Sequence, residues 1–290
     1  MADAPTADAP SRRRPVAESL REYGRGIAGG LLFSLPLLYT MEVWWAGFTS
    51  HPGSVLGYLV ATYVLLLGYN RYGGFRRDLY WFDVFTDSLE ELGLGLLVSV
   101  VLLVLIGRIG HGTSLQEAVG MVVVEAGTVA IGVSVGTAQL GGQHREENEE
   151  EDQKRLESAD HIPGQLVISF CGAVLFAANV APTEEIVMIA AETQPWCLLG
   201  LAVLSLLLGG LILFQSDFTR AHRFTRRRLR RDVLAGTFVT YAIALLSSAL
   251  VLWFFGRFNG NGLSVCAAQV VVLALASTLG ASAGRLLIQS

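Results

Sequence analysis

Long apolar runs separated by clusters of charge constrain this chain more than any other feature of its sequence. The runs are about 18–24 residues long, enough for a helix to cross roughly 30 Å of hydrocarbon. Charged residues make up 16% of the 290 residues, against about 25% in soluble domains. Because lipid offers no partner to backbone polar groups, such runs predict a multi-pass α-helical membrane protein.

Eight of these runs are long enough to be transmembrane helices. They cover residues 26–47, 53–70, 84–106, 115–138, 164–191, 195–214, 233–256 and 263–285. The fifth is irregular, because Pro182 and the Glu184-Glu185 pair interrupt it. Asp83 and Asp232 are expected to be the N-caps of the third and seventh helices. The resulting domains are a disordered cytoplasmic tail (1–25), a first transmembrane unit (26–138), an acidic cytoplasmic linker (139–163) and a second transmembrane unit (164–290).

The distribution of basic residues predicts the orientation in the membrane. With both chain ends in the cytoplasm, 19 of the 21 lysines and arginines fall on that side, and Arg108 and Arg257 are the exceptions. This bias predicts a protein of the plasma (inner) membrane with cytoplasmic N- and C-termini. A juxtamembrane basic patch is expected to attract anionic lipid headgroups rather than nucleic acid. It comprises Arg226, Arg227, Arg228, Arg230 and Arg231.

The two halves of the chain resemble each other. Residues 29–57 align without gaps on 172–200, at a constant spacing of 143, and the spacing later becomes 149 and then 148. The matched pairs include Thr40/Thr183, Glu42/Glu185, Pro52/Pro195, Asp83/Asp232, Gly107-Arg108/Gly256-Arg257, Gly132/Gly280 and Gly136/Gly284. An even number of helices per unit predicts two parallel four-helix repeats about a pseudo-twofold axis along the membrane normal. The four glycines are expected to serve helix packing near that axis.

Carboxylates inside the predicted spans are the candidate functional groups, since ionisable residues in hydrocarbon face protein or water. Glu125 lies near the middle of the fourth span. Glu42 and Glu185 occupy matched positions near the outer ends of their spans, with Thr40 and Thr183 two residues earlier and Glu184 beside them. Two interpretations stay open for the matched pair. The carboxylates either hold a cation or proton between them, or they reach the headgroups and cap neighbouring helices.

A second acidic group, Asp87, Glu90 and Glu91, falls in the first turns of the third helix. Spacings of three and four residues place these side chains on one helical face, which predicts a cytoplasmic vestibule. The alternative is that they stabilise the positive end of the helix.

Several classes of protein are not expected from this sequence. The three cysteines have no paired spacing and no nearby histidines, which argues against disulfides and a metal site. The nucleotide-binding and zinc-protease motifs are absent from the sequence. We therefore expect no enzyme activity and no cofactor.

Two short motifs resemble those of a bacterial family of integral membrane proteins with no assigned function. They are Met41-Glu42-x-Trp44-Trp45 and the stretch from Gly68 to Arg76, which is followed by Trp81-x-Asp83-Val84. The resemblance covers the chain from about residue 20 and implies a bacterial multi-pass membrane protein. It implies no activity.

The sequence thus favours a passive ion channel or a small-solute or proton-coupled permease. Its path would run between the two units, with Glu42 and Glu185 at the outer mouth and Glu125 deeper. The alternative is a non-transporting membrane scaffold or sensory subunit. A homo-oligomer is compatible with either.

Overall fold

Every secondary-structure element that the structure describes is an α-helix. This computed structural model describes residues 16–73, 80–140, 162–220 and 226–289. The helices are α1 (Val16–Leu38), α2 (Met41–Thr49), α3 (Pro52–Gly73), α4 (Trp81–Leu105), α5 (Leu115–Leu140), α6 (Ile162–Val180), α7 (Glu185–Glu192), α8 (Pro195–Arg220), α9 (Arg226–Phe254) and α10 (Leu263–Gln289). Residues 1–15 of the predicted tail and 141–161 of the predicted linker lie outside the described part.

Seven described helices are long and apolar enough to cross a membrane, namely α3, α4, α5, α6, α8, α9 and α10. The eighth predicted span, 26–47, is broken: α1 and α2 meet at 90° and count as one span only if the bent pair is taken together. The fifth predicted span, 164–191, is also divided, into α6 and α7. The chain is therefore an all-helical, multi-pass membrane protein.

Both breaks are closed by the same local hydrogen bonds. The Thr40 amide donates to the Leu37 carbonyl, and 143 residues later the Thr183 amide donates to Val180. Each threonine hydroxyl also donates to a carbonyl of the preceding helix, Thr40 to Pro36 at 2.6 Å and Thr183 to Val180 at 2.9 Å. These bonds satisfy carbonyls that lose their helical partners where the helix ends.

The ends of α4 and α9 share a further motif. The Gly107 amide donates to Val104 and the Arg108 amide to Leu103, and the bonds recur at Gly256 and Arg257. This pattern is a Schellman cap, which requires a left-handed residue after the helix. Gly107 and Gly256 supply it with φ of 74° and 68°. The duplicated Gly-Arg pair therefore ends a helix in each half.

The N-caps differ from those expected. The N-cap of α4 is Tyr80, and Asp83 lies in the first turn of that helix. Helix α9 begins at Arg226, so Asp232 lies within it. The prediction of Asp83 and Asp232 as N-caps is wrong, because both helices extend further toward their N-termini than the apolar runs do.

Two helices form the centres of the two halves. In the first half α5 packs against α1, α2, α3 and α4, and in the second half α10 packs against α6, α7, α8 and α9. We call the end of the bundle with the loops 106–114 and 255–262 the short-loop end, and the opposite end the tail end. At the tail end α1 begins and α5 finishes.

The halves meet mainly where α3 packs against α6, with Gly68 against Val167 and the Cys171 thiol 3.5 Å from the Leu65 carbonyl. The rings of Tyr58 and Phe254 add a stacked contact at 4.5 Å. A twofold axis would pack α8 against α1 in the same way. The described residues give that pair no comparable contact, so the relation between the halves departs from a strict twofold.

Candidate functional site

Glu125 on α5 is completely buried, with 0% of its side chain exposed. Neither carboxylate oxygen has a hydrogen-bond partner among the described residues. Burial without a partner is costly for a carboxylate, and far more so when it is charged. Glu125 is also the only carboxylate or base among the described residues that is fully buried.

The helical register shows which neighbour Glu125 faces. Gly132 and Gly136, two turns and three turns later on α5, contact Gly29 of α1. Gly120, earlier on α5, contacts Gly47 of α2. Residues separated by about seven or eleven positions lie on one face of a helix, so Glu125 lies with Gly132 and Gly136 on the face of α5 that packs against α1, whereas Gly120, five positions away, does not share that face.

The break between α1 and α2 lies at the level of Glu125. The neighbouring residue Val124 packs in one cluster with Leu37, which precedes the break, and Val43, which follows it. Thr40 is the N-cap residue of α2, but its side chain makes no hydrogen bond to the first turn of that helix. The buried carboxylate is therefore next to a discontinuous helix, where backbone groups are free of helical partners.

The helices that pack against α5 carry other buried polar groups. Ser34 on α1 and Ser99 on α4 are 0% exposed, and their hydroxyls have no partner in the described part of the chain. Thr128, one turn after Glu125, donates its hydroxyl to the Glu125 carbonyl at 3.1 Å. These three groups are neutral hydroxyls, whereas Glu125 is a carboxyl group that can carry a charge.

A second polar cluster joins α3, α4 and α5 nearer the tail end. The Asn70 amide nitrogen donates to Glu91 Oε2 at 2.7 Å and to Ser88 Oγ at 3.0 Å. Ser134 of α5 donates its hydroxyl to Asn70 Oδ1 at 3.0 Å. Asn70 therefore fixes the Glu91 carboxylate against the neighbouring helices.

The three acidic residues of the predicted vestibule do not share one environment. Glu91 is half-buried in this cluster and Asp87 is half-buried, whereas Glu90 is exposed. The vestibule formed by all three stays a prediction.

At the short-loop end the matched carboxylates lie around an arginine. Burial lowers the pKa of Arg257, and the charges of Glu184, Glu42 and Glu185 act against that shift. Glu42 is half-buried, and Glu184 and Glu185 are exposed. The two predicted partners Glu42 and Glu185 thus both interact electrostatically with the Arg257 guanidinium.

The predicted packing glycines contact helices of their own half. A Cβ atom on Gly136 would lie 2.6 Å from Gly29 Cα, and one on Gly284 would lie 2.9 Å from the Ile168 carbonyl oxygen. Gly132 contacts Gly29 and Gly30 of α1, and Gly280 contacts Gly172 of α6. The glycines allow close approach to α1 and α6, as the packing role predicts, and their expected position near an axis between the halves stays a prediction.

The described residues contain no group of three or more His, Cys, Asp or Glu side chains that could hold a metal ion. The basic patch at 226–231 lies in the first turns of α9, and its side chains lie outside the described part of the structure.

Sequence reasoning missed the roles of Asn70 and Arg257. Asn70 stands in the motif from Gly68 to Arg76, and Arg257 in the repeated Gly-Arg pair. Both motifs were visible, but the partners of these residues come from helices distant in the sequence.

The helices and their buried polar groups define a polytopic α-helical membrane protein. The chain belongs to the family described as "Putative integral membrane protein (DUF2391)", whose sequence model matches residues 22–288. This match confirms the resemblance inferred from the motifs. No curated protein and no solved structure matches the chain.

Proposed function

We propose that this protein is a proton-conducting or proton-coupled permease in which Glu125 carries the proton. The observation behind the proposal is that both oxygens of a fully buried carboxylate have no partner among the described residues. Ionisable groups within a membrane protein commonly mark ion pathways and proton relays. A group in this position is stable when it binds a proton or a cation.

A proton suits Glu125 better than a metal cation does. A hard cation such as Ca²⁺ takes about 6–8 oxygen ligands, whereas the described part of the chain offers no cluster of three acidic, histidine or cysteine side chains. One carboxylate among neutral hydroxyls matches the needs of a proton. Glu42, Glu184 and Glu185 around Arg257 would form the polar mouth at the short-loop end.

The test is proton flux in proteoliposomes that contain a pH-sensitive dye and are driven by an imposed potential. We expect wild-type protein to admit protons faster than empty liposomes do, and Glu125→Gln to remove that excess. The amide fills nearly the same volume, so equal incorporation and equal thermal unfolding are the controls. Wild-type flux in Glu125→Gln, or no excess flux in the wild type, would refute the proposal.

The second candidate is a non-transporting membrane scaffold or sensory subunit. It is favoured by the closure of Glu125 from solvent and by the position of α5, where 89% of the residues in the most apolar stretch of the span are buried. A permease needs a second conformation that wets Glu125, while a scaffold needs none. Under the scaffold hypothesis, the wild type conducts no more protons than empty liposomes.

We further propose two four-helix repeats, in which α1 with α2 and α6 with α7 each count as one bent span. Support comes from the duplicated hydrogen bonds at the helix breaks and at the Gly-Arg caps. In the proposed orientation, the protein lies in the plasma (inner) membrane with both chain ends in the cytoplasm. The basic patch at 226–231 would then meet anionic headgroups, and neither enzyme activity nor a cofactor is part of the proposal.

A further inference from the structure

Among the residues that the structure describes, the carboxylates within the long spans belong to the first half. At the spacings that align the halves, Glu125 corresponds to Leu273 and Glu91 to Thr240. Asn70, which holds Glu91, corresponds to Leu213. The second half thus replaces both acids with neutral residues while it keeps the helical frame.

Helix α10 carries a fully buried amide. Gln269 is 0% exposed, and both of its side-chain polar atoms have no partner among the described residues. It corresponds to Met121, one turn before Glu125. An amide neither gains nor loses a proton near neutral pH, so this group cannot replace a carboxylate in proton transfer.

Glu125 and Glu91 lie on adjacent, tightly packed helices. A Cβ atom on Gly95 of α4 would lie 2.8 Å from the Ala130 Cβ and 3.0 Å from the Ala126 carbonyl oxygen, which sets the register of α4 against α5. Glu91 is one turn from Gly95 toward the tail end, and Glu125 is next to Ala126 toward the short-loop end. At about 1.5 Å per residue, the two carboxylates are separated by roughly 10 Å along the bundle.

We propose that Glu91, held by Asn70, is a second proton site, and that the proton path lies inside the first half, from Glu125 on the α1 side of α5 to Glu91 at the contact of α3, α4 and α5. This inference rests on the proposed function. It differs from the path expected from the sequence, which ran between the two halves. Each transfer takes one proton from a carboxylic acid to a carboxylate through intervening water, so the two groups exchange states and no other bond changes. In the described part of the chain, the titratable neighbours of Glu91 are Asp87 and Glu90 on its own helix.

Asn70 is a positioning residue in this path. Its amide donates to Glu91 Oε2, and Ser134 orients the amide by donating to its oxygen. The proton would be carried on Oε1. A glutamine at position 91 can still accept the bond from Asn70 through its amide oxygen, so Glu91→Gln removes the exchangeable proton and keeps the contact.

The test compares proton flux and thermal unfolding for full-length variants in the same liposomes. We expect Glu91→Gln to lower flux by about tenfold or more with an unchanged unfolding temperature. Ser134→Ala, which frees the Asn70 amide to turn, should lower flux less. Its matched control is Ser282→Ala at the equivalent position of α10, where the buried hydroxyl has no partner among the described residues. This control should conduct like wild type.

The outcomes separate this inference from the proposed function. Wild-type flux in Glu91→Gln, together with lost flux in Glu125→Gln, overturns the second site and leaves the proposed function standing. Absence of flux in the wild type overturns both. If Glu91→Gln does not fold, Glu91→Thr takes its place, because threonine is the residue of the second half, and wild-type flux in that variant overturns the inference equally.

Discussion

Gly29 of α1 and Gly136 of α5 meet backbone against backbone, since a Cβ atom on Gly136 would lie 2.6 Å from Gly29 Cα. Small residues let membrane helices approach closely, and packing is a main source of their association. Gly136→Val is therefore expected to lower the free energy of unfolding by about 1–3 kcal/mol through overpacking. The measurement is denaturation in detergent micelles followed by tryptophan fluorescence.

Gly93→Val is the matched control for that prediction. Gly93 lies in the interior of α4, and a Cβ atom there would meet nothing within 4 Å. Both substitutions introduce the same β-branched side chain into a helix, so the difference between them isolates the contact with α1. Equal effects of the two substitutions would rule out close packing as the reason for Gly136.

The Schellman caps of α4 and α9 give a second prediction. Gly107 and Gly256 have positive φ, and an L-residue in that region is less stable by roughly 1–2 kcal/mol. Alanine at either position should destabilise the fold by about that amount in equilibrium unfolding. Gly110→Ala is the control, because Gly110 has no positive φ and open space around it. An effect at Gly110 as large as at Gly107 would contradict this explanation.

Much of the helical frame follows from the sequence. The predicted spans 53–70, 84–106 and 115–138 correspond to α3, α4 and α5, because the length of an apolar run is set by the hydrocarbon it crosses. The break after Leu38 was not predicted. Residues on both sides of the break are apolar, and the hydropathy of a run does not show whether the helix axis changes direction within it. The break before Glu185 was visible as an irregularity, because Pro182 and two glutamates interrupt the apolar run.

The candidate site was predictable only in part. Glu125 was identified because a carboxylate in the middle of an apolar run is conspicuous. The cluster of Asn70 with Glu91 and Ser134 was not identified, since its three members come from three helices. Their approach depends on the register of α4 against α5, which close contacts such as Gly95 with Ala130 determine. The register of two helices that are packed together cannot be derived from a single sequence.

Arg108 and Trp44 give a third prediction. The guanidinium carbon of Arg108 lies 3.9 Å from the centre of the Trp44 ring, and Arg108 is exposed. A cation–π contact at an exposed site contributes about 0.5–1 kcal/mol. Arg108→Met should lower the free energy of unfolding by that amount. A double-mutant cycle with Trp44→Phe should show a stabilising coupling energy between the two side chains. A coupling energy of zero would show that the two side chains only happen to be close.

The proposed orientation gives a fourth prediction. Cysteines introduced at His51, His111 and Asn261, on a background without the native cysteines, should react with an impermeant thiol reagent in intact cells. Cysteines at Glu150 and Arg228 should react only after lysis, because these positions belong to the side rich in lysine and arginine. Labelling of Glu150 from outside the cell would contradict cytoplasmic ends.

The most direct test of the central claim, that Glu125 carries the proton, exchanges each deep polar residue for its counterpart in the other half. Glu125→Leu and Gln269→Met both remove a buried polar group without a described partner, and both should raise the free energy of unfolding by about 1–3 kcal/mol. Proton flux into liposomes is then measured for each variant at equal incorporation. The account predicts that Glu125→Leu conducts no more than empty liposomes, while Gln269→Met conducts like wild type. Wild-type flux in Glu125→Leu would contradict it.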